Sequence, residues 1–395
     1  MRLPVYLDHH ASTPPDPRVL VKMREALEVH FGNPASATHA YGWAAASLVE
    51  AAREEVARLI GATAREIIFT SGATEANNLA LKGFAGARAG APGHVVTSGF
   101  EHEAVREPLA ELAARGWRVT VVPAGADGVV DPAAVAAALA ADTALVSIMA
   151  AQNELGTVQP VREIGALCRA RGVVFHTDAA QAAGRVPLDV ENDRIDLLSL
   201  SGHKLYAPQG VGALYVRRRA PRITLAPLVT GGGQERGLRA GSLNVPGIVA
   251  LGEACRLARA EMGAEGMRLR ELAVRLLALV RERLPGVRLN GHPERRLPGS
   301  LSLSFEGIPP RRLLAAVPTL AMSSGAACAS GEGEPSPVLL ALGLPRELAL
   351  ATVRLALGRG TTAAEVDYAA RTLAEAVARL REEGRQLGLD VSPPG

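Results

Sequence analysis

Short apolar runs alternate with Ala-rich helical stretches between about residues 60 and 220. The runs are EIIFT, HVVTS, RVTVV, ALVSIM, VVFHT, IDLLSL and GALYV, and polar or Gly-containing turns bound them. Intervening stretches such as PVREIGALCRARG carry apolar residues at helical spacing. Because alternating strands and helices are typical of a sheet covered on both faces, this pattern predicts an α/β fold with a mostly parallel seven-stranded sheet.

The pattern changes near residue 255. Long helical stretches follow, then the strand-like run SLSLSF, then further helices. This tail predicts a second, smaller α+β domain. Residues 322–337 within it read MSSGAACASGEGEPSP, and their Gly and Pro content excludes a long helix or strand. We predict a loop there, which carries Cys328.

Composition excludes several classes of protein. The chain has 395 residues, of which 48% are hydrophobic and 21% are charged, as in ordinary globular proteins. Its net charge is only +3, so the charge does not indicate binding to nucleic acid or to an anionic membrane. No apolar run approaches the length of a membrane span, and the N-terminal sequence has no signal-peptide core. The three cysteines form no CxxC pair. We therefore expect a cytoplasmic protein with free thiols and no metal site.

Polar side chains follow five of the predicted strands. In open α/β sheets ligands bind at the carboxyl ends of the strands, so we expect these side chains at one rim. Taken singly, each could be a helix cap, a turn residue or a buried histidine, but their shared position favours one ligand site. The residues are Thr74, His102, Asn153, Asp178, Gln181, Ser201, His203 and Lys204.

This set of groups is what pyridoxal 5'-phosphate requires. The cofactor needs a lysine for an imine, an acid for its pyridine nitrogen and donors for its phosphate. After the run EIIFT, a Gly turn leads into a predicted helix with Ser71 and Thr74 as candidate caps, and the start of such a helix would supply these donors. Lys204 is one of three lysines, and the other two, Lys22 and Lys82, lie in helical surface stretches. Arginine cannot form the imine, so Lys204 is the predicted residue.

Motifs of one known family occur along nearly the whole chain. They are YLDHHASTP, FGNPAS, FTSGATEANN, EHEAV, NELG, HTDAAQ, SGHKLYAPQGVGALYVR, GGGQERGLRAGS, SSGAACAS and VRLALGR, between residues 6 and 360. In type and order they resemble those of cysteine desulfurases of the NifS/IscS type, in the class V aminotransferase family. The resemblance implies a homodimer of fold-type I, with a large cofactor-binding domain over 15–258 and a small domain made of 1–14 and 259–395.

The resemblance also implies a reaction: L-cysteine becomes L-alanine, and its sulfur passes to Cys328 as a persulfide. Lys204 would bind the cofactor and move the Cα proton, and Asp178 would keep the pyridine nitrogen charged. His102 would stack on the cofactor ring and would donate a proton to the substrate thiol or accept one from it. The implied residues at the cofactor phosphate are Ala73, Thr74, Ser201, His203 and, across the dimer interface, Ser242. Asn153 and Gln181 would bind the ring hydroxyl. Arg354, with Asn33 beside it, would bind the substrate carboxylate.

A mobile loop suits a thiol that collects sulfur at a cofactor and then presents it to another protein. Cys168 and Cys255 lie in helical segments and are predicted to be packing residues. The length of the Cys328 loop resembles the subgroup that delivers sulfur to iron–sulfur scaffold proteins or other sulfur acceptors. The C-terminal sequence is shorter than the scaffold-docking tail of many relatives, and the sequence does not identify the acceptor.

Two alternatives remain open. A selenocysteine lyase or another class V aminotransferase would share Lys204 and Asp178 but would not need Cys328. A non-enzymatic sulfur carrier would use the thiol alone and would bind no chromophore. His9 and His10 stand where relatives often carry an aromatic and a small residue, and the sequence assigns them no function.

Overall fold

The computed structural model describes residues 1–88, 92–309, 311–324 and 334–386. Its strands are β1 (Val5–Tyr6), β2 (Ile67–Thr70), β3 (His94–Ser98), β4 (Arg118–Val122), β5 (Thr143–Ser147), β6 (Val174–Asp178), β7 (Leu197–Ser201), β8 (Gly212–Val216), β9 (Val287–Leu289), β10 (Ser300–Phe305), β11 (Leu320–Ala321) and β12 (Thr352–Ala356). Its α-helices are α1 (Pro17–Glu28), α2 (Ala40–Leu59), α3 (Ala73–Gly86), α4 (Glu103–Ala114), α5 (Pro132–Ala138), α6 (Val161–Arg171), α7 (Val245–Arg283), α8 (Arg312–Ala316), α9 (Pro337–Ala341), α10 (Arg346–Leu350) and α11 (Ala363–Gln386).

A seven-stranded sheet forms the centre of the fold, in the order β2-β8-β7-β6-β5-β3-β4. β3 to β7 pair in parallel, whereas β8 is antiparallel to both of its neighbours. The predicted fold class, a mostly parallel α/β sheet, is therefore confirmed. No helix in the described parts of the chain is both long and apolar enough to span a membrane.

Helices cover both faces of this sheet, which explains why its inner strands are continuous apolar runs. Neighbouring residues of β3 point to opposite faces. Val95 packs in a core with Leu109 of α4, and Val96 packs in a second core with Ile164 of α6. The parallel strands consequently end at one edge, and their polar C-terminal residues meet there.

A separate core joins the two ends of the chain. It contains Val5 and Leu7 together with Leu303 of β10 and Leu373 of α11. Two small sheets border it: an antiparallel sheet in the order β12-β10-β9, and the parallel pair β1-β11. α7 contributes residues to this core and to the core of the large sheet, so the predicted domain boundary at residue 258 falls inside one continuous helix and stays a prediction.

Candidate active site

A cavity of about 460 Å³ lies at the carboxyl ends of the parallel strands. This is where ligands bind in open α/β sheets. Strand ends, the starts of α3 and α4, and β12 all supply side chains to its wall. The predicted site residues that line it are Ala73, Thr74, His102, Asn153, Asp178, Gln181, Ser201, His203, Lys204 and Arg354.

Two predicted residues lie elsewhere in the single chain. Asn33 and Ser242 line a second cavity, of about 410 Å³, together with Arg53 and Glu235. The Asn33 side chain accepts a hydrogen bond from the backbone N–H of Ala35 at 2.9 Å, which holds it in its own turn. Within the single chain, Asn33 and Arg354 thus line different cavities, and the expected position of Asn33 beside Arg354 at the substrate carboxylate stays a prediction. The role of Ser242 across a dimer interface stays a prediction.

Cys328 lies outside the described residues, but the flanking segments contact the cavity region. The backbone N–H of Arg354 donates to the carbonyl of Ser323 at 2.7 Å. The hydroxyl of Ser336 donates to Oε2 of buried Glu154 at 2.6 Å, and the next residue, Pro337, lines the cavity. The described residues on both sides of Cys328 thus lie next to the cavity region.

Cys168 and Cys255 are buried free thiols, as predicted. Both pack in the core on one face of the large sheet. Burial raises the pKa of Cys168 to about 12, and it also raises the pKa of Cys255. Because the thiolate is the nucleophilic form, neither side chain is suited to accept sulfur at neutral pH.

The start of α3 lines the cavity without a side-chain cap. α3 begins after Gly72, and no side chain caps it. Uncapped N–H groups in a first turn attract phosphate. A Cβ on Gly212 of β8 would lie 2.6 Å from the Cα of Gly72, so only glycine allows this close approach of helix and sheet. Ser201 borders the same point, since a Cβ on Gly72 would lie 3.9 Å from its Oγ.

Asp178 is buried at the end of β6 with two hydrogen-bond donors. Nδ2 of Asn77 donates to its Oδ2 at 2.7 Å, and the backbone N–H of Ala180 donates to its Oδ1 at 2.9 Å. No basic side chain among the described residues lies within 4.0 Å of it. A buried carboxylate without a cationic partner fits a protonated pyridine nitrogen. Sequence reasoning missed Asn77, although it lies within the FTSGATEANN motif.

Lys204 follows β7 and reaches the N-terminal segment. Its Nζ donates to the backbone carbonyls of His10 and Ala11, the latter at 2.9 Å. Nε2 of Gln181 donates to the same His10 carbonyl at 2.9 Å, while its Oε1 accepts from Arg185 at 3.2 Å. Both Nε2 and Oε1 of Gln181 thus have hydrogen-bond partners. The predicted bond from Gln181 to the hydroxyl of the cofactor ring would require one of these partners to be replaced.

The structure gives His9 and His10 different surroundings. The His9 ring packs edge-on against Tyr6, its Nδ1 donates to the Ala356 carbonyl at 3.0 Å, and burial lowers its pKa to about 4. His10 instead lines the cavity, and its Nδ1 donates to the Asn153 carbonyl at 3.2 Å. Burial, followed by nearby arginines, holds the pKa of His10 well below its usual value. His10 is a neutral acceptor in the cavity wall that the sequence did not identify.

Arg354 of β12 is 5% exposed and presents an incomplete set of hydrogen bonds. Nη2 donates to Oδ1 of Asp8 at 2.8 Å, and Nη1 donates to the Asn153 carbonyl at 3.1 Å. Its Nε is buried without a partner among the described residues. An unsatisfied guanidinium N–H fits a substrate carboxylate. Asp8, in the YLDHHASTP motif, is a further residue that sequence reasoning missed.

His102 caps α4 and is fixed by that role. The backbone N–H of Ala104 donates to its Nδ1 at 3.1 Å. The neutral ring therefore carries its proton on Nε2. Burial, then the charge of Lys204, lowers the pKa of His203 to about 4, so the His203 ring is uncharged at neutral pH. Among the described residues, no group of three or more His, Cys, Asp or Glu side chains could hold a metal ion.

These features together fit pyridoxal 5'-phosphate. The cavity wall includes the uncapped start of α3, the buried carboxylate of Asp178 and the side chain of Lys204. Asn77 and Glu101 also line the cavity, and Oδ1 of the first and Oε2 of the second are buried without partners in the described part of the chain. The fold and the cavity define a fold-type I enzyme that depends on pyridoxal 5'-phosphate.

Residues 5–369 match the model of the family described as Aminotransferase class-V, and the chain belongs to this family. It is 50% identical over 382 residues to a cysteine desulfurase IscS of Anaeromyxobacter dehalogenans, covering 97% of this chain and 94% of that one. It is 49% identical over 379 residues to a cysteine desulfurase of Mus musculus, covering 96% and 82%. A solved NifS-like protein superposes with a TM-score of 0.88 at 36% identity, covering 96% of this chain and all of that one.

Proposed function

We propose that this chain is a cysteine desulfurase that converts L-cysteine to L-alanine and transfers the sulfur to Cys328 as a persulfide. One observation carries the proposal: a single cavity unites Lys204, Asp178, His102 and Arg354, which come from separate segments of the chain. The similarity to cysteine desulfurases over nearly the full chain supports the same activity. Bound pyridoxal 5'-phosphate supplies the electron sink that makes the Cα–H bond of an amino acid labile.

The residues of the chain bind and orient the substrate. Arg354 takes the carboxylate through Nε, which has no partner among the described residues, while Asp8 and the Asn153 carbonyl hold the other edge of the guanidinium. Lys204 holds the cofactor and moves the proton at Cα. Asp178 supplies the negative charge opposite the pyridine nitrogen, in an orientation that Asn77 fixes.

Sulfur transfer needs a thiolate and a proton donor or acceptor at the substrate sulfur. His102 serves the substrate through Nε2, because Nδ1 is engaged with the backbone N–H of Ala104 in α4. Cys328 attacks the substrate sulfur as a thiolate; an S–S bond forms as the Cβ–S bond breaks, and alanine remains. Cys328 is assigned this role from the sequence.

The active form in this proposal is a homodimer in which Ser242 reaches the cofactor phosphate of the other subunit. Exposed aromatic side chains lie near the second cavity: Phe31 and Tyr41, with ring centroids 5.4 Å apart, and Trp43. They are 69%, 59% and 58% exposed. Clustered exposed aromatic residues are typical of interfaces.

The sulfur goes to iron–sulfur scaffold proteins or other sulfur acceptors. We also propose a cytoplasmic location, because Cys168 and Cys255 are buried free thiols, as expected in a reducing compartment. The test of the function is to incubate the purified protein with L-cysteine and to measure alanine and protein-bound sulfur. Stoichiometric alanine and persulfide support it. A protein that binds the cofactor but releases no alanine from L-cysteine contradicts it.

A further inference from the structure

Glu101 is a buried carboxyl group in the wall of the cofactor cavity, and its two oxygens have different surroundings. Oε1 accepts a hydrogen bond from Ser98 Oγ at 2.6 Å and another from the backbone N–H of Met149 at 2.9 Å. Oε2 is buried and has no partner among the described residues. The residue is 3% exposed, and no basic side chain in the described part of the chain forms an ion pair with it. An ionised carboxylate would therefore be poorly solvated here.

A second carboxylate, that of Asp178, shares the cavity wall. Each carboxyl group receives two hydrogen bonds, but those of Asp178 go one to each oxygen, whereas both of those to Glu101 go to Oε1 and leave Oε2 without a partner among the described residues. Two neighbouring carboxylates do not ionise equally easily, and the worse-solvated one keeps its proton. Burial is the main cause that raises the pKa of Glu101 to about 8; Asp178 adds to the increase, and the bonds from Ser98 and Met149 oppose it.

Other ionisable groups line the same cavity. On the segment of Glu101 itself these are His102, Glu103 and Arg106. From the other elements they are His10, Glu75, Glu154, Asp178, His203, Lys204 and Arg354. His10 and His203 are neutral because burial lowers the pKa of each. Arg354 donates to Asp8 and to the Asn153 carbonyl.

Oδ1 of Asn77 gives the second, independent observation. It is a buried acceptor without a partner among the described residues, and Asn77 lines the same cavity as Glu101. The Nδ2 of the same amide donates to Asp178, so the amide cannot be turned round without losing that bond. Two buried acceptors of residues in the cavity wall therefore lack a donor in the described part of the chain.

We propose that Glu101 is a neutral carboxylic acid in the working enzyme and that its Oε2–H is the hydrogen-bond donor of this wall, which leaves Asp178 to carry the negative charge opposite the cofactor. Glu101 is thus a positioning residue. Through Oε1 it joins the end of β3 to the segment after β5, and it places His102, the next residue, at the start of α4. The inference rests on the proposed function only in placing the cofactor in this cavity.

Glu101→Gln is the direct test, because an amide reproduces a neutral acid: its oxygen keeps the bonds from Ser98 and Met149, and its NH₂ donates where Oε2–H would. Glu103→Gln is the matched control, since it makes the same chemical change two residues away. Infrared difference spectra of the two variants against the unmodified holoenzyme report the C=O stretching band of a protonated carboxyl group. We expect this band at neutral pH, and we expect Glu101→Gln to remove it and Glu103→Gln to keep it.

The band should disappear on titration with a midpoint near pH 8. The absorption of the bound cofactor should change over the same range, because a new negative charge appears beside Asp178, and this change should be absent in Glu101→Gln. An unmodified protein with no such band at neutral pH overturns the inference, as does a Glu101→Gln variant that loses its cofactor while Glu103→Gln retains it. Because the band needs no turnover, these results are independent of whether the protein desulfurates cysteine.

Discussion

Arg354 and Asp8 lie 346 positions apart in the sequence and share a hydrogen bond of 2.8 Å between Nη2 and Oδ1. The bond joins β12 to the segment after β1, and it fixes one edge of a guanidinium whose Nε is buried without a partner among the described residues. Asp8 thereby sets the direction in which Arg354 can meet a carboxylate.

We expect Asp8→Ala to weaken substrate binding more than it slows turnover. A hydrogen bond to a charged group contributes about 1.5–3 kcal/mol, which corresponds to a KM increased about ten- to a hundredfold. Steady-state kinetics with L-cysteine measure it. Asp367→Ala, which removes an exposed ion pair with Arg275, is the control and should leave KM unchanged. An unchanged KM in Asp8→Ala would show that Arg354 does not depend on this partner.

Lys204→Ala should abolish the visible absorption of the cofactor imine and the production of alanine. The amine that forms the bond is lost, whereas the phosphate end at α3 remains. Lys82→Ala is the matched control, because this lysine pairs with Glu111 away from the cavity. Absorption spectra and alanine assays distinguish the two. Turnover of L-cysteine at the normal rate by Lys204→Ala would be incompatible with the assigned site.

Cys328→Ser should retain the cofactor and its spectral response to L-cysteine but lose sulfur transfer. A hydroxyl is a far weaker nucleophile than a thiolate. Mass spectrometry after one turnover of the unmodified protein should place the added sulfur on the peptide with Cys328. Sulfur on the peptides with Cys168 or Cys255 would refute the assignment, because both thiols are buried and have raised pKa values.

The raised pKa of Glu101 predicts how stability depends on pH. A carboxyl group with a pKa of 4.5 when unfolded and about 8 when folded binds an extra proton in the folded state between these values. Its contribution to stability is complete below pH 4.5 and is lost as pH rises through 8. Relative to Glu101→Gln, the unmodified apoprotein should lose up to about 1.4 kcal/mol of unfolding free energy per pH unit in this window. Denaturant titrations at several pH values, with Glu103→Gln as the control, check this slope. Parallel stability profiles would contradict it.

The exposed aromatic residues near Asn33 test the proposed dimer. Replacement of Phe31 and Trp43 by Ser removes apolar area that a partner subunit would cover, so we expect a shift toward monomer in sedimentation velocity and a weaker hold on the cofactor. Val274→Ser changes an equally exposed apolar residue of α7 and should do neither. An unmodified protein that is monomeric would exclude the shared site.

Sequence patterns predicted the large sheet because strands buried on both faces read as unbroken apolar runs. They did not predict β1 and β11, since strands of two residues carry no periodicity. Once the strands were predicted, the site residues that directly follow them could be predicted as well, because ligands bind at the carboxyl ends of parallel strands. Asp8, Asn77 and Glu101 were missed because each acts through a contact with a distant residue, and such contacts leave no local spacing to recognise.

α7 connects the two cores in a way that limits how far the protein can be treated as modular. Ala258 packs in the core of the large sheet, and Leu269 of the same helix packs in the core that joins the chain ends. The helix spans about 16 Å between them, at 1.5 Å per residue. Lys204 follows a strand of one core and Arg354 lies on a strand of the other. A chimaera in which either core is replaced by that of a related protein would therefore also need the matching half of α7. Without it, Lys204 and Arg354 would no longer keep their relative positions.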